Sequence, residues 1–153
     1  MLKNELFIGL LVAVVAGAMI AVQSTFISRS GATIGATRSG MLTTVTGSLF
    51  AIGVLALLWR RGGLVWNWDV GTWWALVIAG ILGALILTGI SFASQRVGIT
   101  ATLATLLLGQ MLVASFVDSR GLGGNPEAIP FTVARFAGIV LLAAGVYLVS
   151  LQR

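Results

Sequence analysis

The residues in this sequence that could do chemistry are few: amides, hydroxyls and one pair of opposite charges. Gln110 lies near the middle of a long apolar stretch, directly after Gly109, and Gln23 lies in the last turns of another. A carboxamide in hydrocarbon carries donors and an acceptor that its own helix cannot satisfy. Gln110 must therefore bridge to a neighbouring helix or line a polar cavity, and the spacing leaves both open. Thr43, Thr44, Thr46, Thr88 and Ser91 also fall inside apolar stretches. Hydroxyls can bond the carbonyl one turn back, so they carry less information; Thr44 and Ser91 are the cavity candidates among them, beside Gln23 and Gln110.

Asp118 and Arg135 are the most suggestive charges. The connection between two apolar stretches joins them, so they fall on the same membrane face. Arg135 stands ~5 residues, or ~7 Å, into its stretch at helical rise. The two could form an ion pair or gate, or an interfacial cap with a snorkelling arginine. No carboxylate stands at the centre of any apolar stretch: Glu5 and Asp118 are at ends, Asp69 and Glu127 in connections. A proton-coupled exporter of cations needs a buried acid whose pKa desolvation can raise, and this chain offers none. It has no Cys and no His, which removes disulfides, thiolate nucleophiles and the common zinc ligands. No nucleophile–base pair, phosphate loop or metal cluster is visible, so neither an enzyme nor a cofactor is expected.

The elements that must position these groups are set by composition. Of 153 residues, 58% are hydrophobic and 8% charged, against about 25% charged in a soluble domain. The reading is an all-α integral membrane protein, one transmembrane domain over residues 1–153. A spanning helix needs roughly 20 mostly apolar residues. Five such stretches are expected, at about residues 6–27, 41–59, 73–93, 99–117 and 131–151. Ser28 to Gly40, small and polar, reads as a loop; Arg60 to Gly71, Gln95 to Gly98 and Asp118 to Pro130 read as the other connections. Both prolines fall in the last of these, so no span has a proline break. All five tryptophans, Trp59, Trp66, Trp68, Trp73 and Trp74, surround one connection, as an interfacial aromatic belt would. Lys3, an apolar run and Ala16-Gly17-Ala18 imitate a signal peptide, but the run is too long for an h-region. Small-xxx-small pairs, among them Gly80/Ala84, Ala79/Gly83, Ala134/Gly138 and Ala13/Gly17, allow close helix packing, with Gly80, Gly83 and Gly138 the packing candidates.

The net charge of +5 is scattered singly apart from Arg60-Arg61, which argues against nucleic acid and for punctuation of spans. Five spans put the termini on opposite faces. Lys3, Arg60, Arg61, Arg120 and Arg135 then share one face, and Arg29, Arg38, Arg96 and Arg153 the other. Five against four is hardly a bias, and orientation is set by such a bias. Dual topology is one explanation; a fixed orientation set by other signals is the alternative. Five spans are half of an inverted-repeat transporter, and a second copy inserted the other way would supply the missing half.

Taken together, Gly109-Gln110, Asp118, Gly121 and Arg135 with Gly138 and Gly145 resemble the small YdcZ-type bacterial membrane proteins, a half-length branch of the drug/metabolite transporter superfamily. Gly80-Ile81-Leu82-Gly83 through Val97-Gly98 is similar to that family's third and fourth spans, and Gly17 and Gln23 to its first. The sequence departs from it at Ser24-Thr25-Phe26-Ile27, which lacks the family's polar residue. The resemblance implies a multi-pass protein of the bacterial cytoplasmic (inner) membrane. It also implies a small-molecule transporter, expected to export as an antiparallel homodimer, or with a homologous paired subunit, by alternating access. A non-transporting accessory subunit is the alternative; a passive channel would need a continuous polar stripe.

Overall fold

The computed structural model describes the backbone of residues 2–62, 69–122 and 129–151, with side chains from residue 7 onward. Trp66, Trp68, Glu127 and Arg153, and the side chains of Lys3 and Glu5, lie outside the described residues. Five helices follow in order: α1 (Leu2–Ile34), α2 (Ala36–Arg60), α3 (Val70–Val97), α4 (Ile99–Ser119) and α5 (Val133–Ser150). All five are long and apolar enough to cross a membrane, as expected, and no strand occurs among the described residues.

The segment Ser28–Gly40, expected as a loop, is helical except for Gly35. Its hydroxyls do not compete with the helix because they fold back onto it. Ser30 Oγ donates to Phe26 O (3.0 Å) and Thr33 Oγ1 to Arg29 O (3.4 Å). Polarity therefore marked the end of the hydrocarbon, not the end of the helix. At ~1.5 Å per residue, the 33 residues of α1 run to ~50 Å against ~30 Å of hydrocarbon. Gly35 alone separates α1 from α2, and Gly98 alone separates α3 from α4. Their φ angles are +89° and +77°, a region where a Cβ is strained and glycine is not. At Gly35 that single residue turns the chain so that α1 and α2 pack together.

The other helix ends are closed locally. Asp69 caps α3 by accepting from the Thr72 amide (3.2 Å) and from the Thr72 hydroxyl. These bonds hold the Asp69 carboxyl below its ordinary value of 3.8. Arg96, in the last turn of α3, lies over the Phe92 ring and donates to Phe92 O (3.1 Å). Past α4, Leu122 N donates to Val117 O and Gly121 N to Asp118 O, both at 3.1 Å. That is the Schellman pairing that satisfies the last carbonyls of a helix.

The chain forms two compact units, residues 1–96 and 97–153. In the first, α1 packs along α2, and α3 joins them through its C-terminal half; in the second, α4 packs along α5. The buried hydrophobic residues are Ile27, Ile90, Ala101 and Ile139, and the buried polar ones are Ser24, Ser39, Ser91, Ser94, Thr102 and Ser115. Leu, Val, Ile and Phe side chains face outward along every helix. This inverts the arrangement of a soluble core. Lipid is as apolar as leucine, so helices gain by apposing small residues and hydroxyls and leaving large apolar side chains to the bilayer.

Candidate functional site

The polar groups of the first unit meet around one backbone carbonyl. Ile27 O, on α1, receives Ser39 Oγ from α2 (3.0 Å) and Ser91 Oγ from α3 (3.3 Å). Ser39 Oγ also lies 2.6 Å from Ser30 Oγ. Gln95 Nε2 donates to Ser91 O (2.8 Å) and lies 3.3 Å from Ser91 Oγ. Ser24 Oγ bonds Ile20 O (2.7 Å) within α1. Glycines make the contact possible. A Cβ on Gly31 would overlap Ser91 Oγ, and one on Gly40 would stand 2.6 Å from both N and Cα of Thr88. Ser91 is thus sealed in a dry joint between helices rather than set on an open surface. Thr44 is half-buried and bonds Gly40 O on its own helix (3.0 Å).

The two glutamines differ from these hydroxyls. Gln23 is exposed on an apolar trough of about 520 Å³ along α1, whose walls include Met19, Val22 and Phe26. Gln110 is exposed on α4. Neither amide has a hydrogen-bond partner among the described residues. An amide left in hydrocarbon costs several kcal/mol, so both stand out from the apolar faces around them.

In the second unit, Arg135 Nη2 lies 3.2 Å from Asp118 Oδ2, and the two side chains are 31% and 39% exposed. The two charges, for which the sequence leaves an ion pair or gate and an interfacial cap open, are in contact. Their placement opposes the helix dipoles. Asp118 sits in the last turn of α4, where a negative charge faces free carbonyls, and Arg135 in the first turn of α5, where a positive charge faces free amides. Each charge is disfavoured by its own helix and compensated by the other. Thr132 caps α5 by accepting from Arg135 N (3.3 Å), and Ile129 N donates to Asp118 O (3.0 Å). Arg135 Nη1 is buried and has no hydrogen-bond partner among the described residues.

Gly80, Gly83 and Gly138, expected at close helix contacts, meet no heavy atom within 4 Å of a built Cβ. Close approach within the chain occurs at Gly31 and Gly40 instead. Sequence reasoning missed these two, with Ser39, because it placed residues 28–40 in a loop, and it passed over Ser24 in the first span. The signal was present: Ser24, Ile27 and Gly31 recur at i, i+3, i+7, as do Thr88, Ser91 and Gln95, so each set marks one helix face. No group of three metal-ligating side chains exists among the described residues.

No curated protein and no solved structure matches the chain. A family model described as "Putative inner membrane exporter, YdcZ" matches residues 8–148. Five apolar spanning helices, a hydroxyl-lined interior and a match over nearly the full length agree: the chain belongs to the YdcZ family of inner-membrane exporters.

Proposed function

We propose that this chain is one half of a small-molecule exporter, completed by a second copy, or a homologous chain, inserted in the opposite sense and working by alternating access. The observation that carries the reading is the pair of amides within apolar stretches, Gln23 and Gln110, neither of which has a partner among the described residues. Amides on exposed apolar faces need either water or another chain, and a cavity between inverted halves supplies both. Asp118 and Arg135 close one end of that cavity and separate when it opens; a pair that opposes both helix dipoles is suited to breaking. Thr44 and Ser91 belong to the packing that holds α1, α2 and α3 as one body while the halves rock.

The second reading is a non-transporting subunit, favoured by the dry serine joint, where polar groups satisfy each other. Thiol labelling separates the two. The chain has no cysteine, so Gln23→Cys and Gln110→Cys each carry one thiol. Labelling of both by a membrane-impermeant reagent in intact vesicles is the expected result. Protection of both from water-borne reagent, with labelling only after denaturation, would favour the subunit reading.

A further inference from the structure

A groove of about 430 Å³ runs along one side of the second unit, where Leu112, Ser115 and Phe116 of α4 face Phe131, Phe136 and Ile139. It is apolar and open to one side. One guanidinium stands beside it. Arg120 lies 5.1 Å above the ring of Phe116, a wall of the groove. Arg120 is exposed and has no acidic partner among the described residues. The site therefore joins an apolar channel to a positive charge that is unpaired among the described residues.

We propose that this groove binds a phospholipid with an anionic headgroup, one acyl chain lying against Phe116, Phe131 and Phe136 and the phosphate taken by Arg120. Charge decides the occupant. A neutral lipid would fill the groove but leave Arg120 unanswered, and a free phosphate would answer it but leave the aromatic walls bare. Basic clefts at the ends of membrane helices hold acidic headgroups in this way, and an aromatic lining fits the interfacial depth. The site stands independently of the export reading.

The test is native mass spectrometry of the purified full-length protein in mild detergent, titrated with phosphatidylglycerol or phosphatidylcholine of identical chains. Phosphatidylglycerol should be retained about five-fold better per engaged arginine. Arg120→Gln should bring its retention down to the phosphatidylcholine level. Phe131→Ser should lower retention of both lipids, and Arg29→Gln, an exposed cation of the first unit, should change neither. Equal retention of the two lipids by the unaltered protein would overturn the proposal. So would an equal fall in Arg29→Gln, which would indicate diffuse charge attraction, or displacement of the lipid by inorganic phosphate alone, which would indicate a free-anion site. Exclusion of lipid by a protein dimer covering the groove would also overturn it.

Discussion

Around the Ile27 carbonyl, three helices meet through atoms no larger than a hydroxyl, and that fixes what each position tolerates. Gly40 opposes the backbone of Thr88 at 2.6 Å for an added Cβ, and backbone cannot swing aside as a side-chain tip can. Gly40→Val should destabilise the folded protein by about 1–3 kcal/mol, measured by unfolding in micelles. Gly80→Ala, with open space around it, should change little in the same assay. The Asp118–Arg135 pair is half-exposed, so its coupling should be about 1 kcal/mol or less. A double-mutant cycle with Asp118→Asn and Arg135→Gln should nevertheless show the double variant more stable than the sum of the two singles implies, because either single change leaves a charge against its own helix dipole. Asp69 sets a pH dependence. Its folded-state pKa is lowered by the Thr72 bonds, so its contribution is present above the ordinary value of 3.8 and is lost as pH falls through the lower folded value. Amide exchange at Thr72 and Trp73, followed by NMR with correction for intrinsic rates, should lose protection on that descent. In Asp69→Asn, which can still cap, the loss should be much smaller.

At the scale of the helices, hydropathy located five spans because twenty apolar residues in succession have few other uses. It did not mark where the helices end, because the solvent boundary and the helix boundary are different physical events. Arg29 and Arg38 mark the first, while Gly35 marks the second, and only a left-handed φ distinguishes it. The candidate site was legible in part. Gln23, Gln110, Asp118 and Arg135 stand out because a carboxamide or a charge is rare in such a chain, and the Asp118–Arg135 contact follows from the connection that joins them. The serine joint was hidden because serine and glycine are as common in loops as in tight helix contacts. Gly35→Ala and Gly98→Ala should each cost about 1–3 kcal/mol, because positive φ with extended ψ is a region open essentially to glycine alone, with helix content by circular dichroism unchanged.

For the whole molecule, the near-equal count of basic residues on the two faces leads to a direct expectation. Reporters active on only one side of the membrane, fused after Arg153, should both give signal if the chain inserts in two orientations. Signal from one alone would mean a fixed insertion, with the inverted half supplied by a different chain. The single-residue links also bear on how the protein is made. Gly35 leaves no loop between α1 and α2, so the two are expected to enter the bilayer as a hairpin rather than one after the other. The freight that such a hairpin would carry across is small: the helix ends, with Arg29 and Arg38 upon them. With so little polar material to translocate, that hairpin should offer little resistance to insertion in either sense.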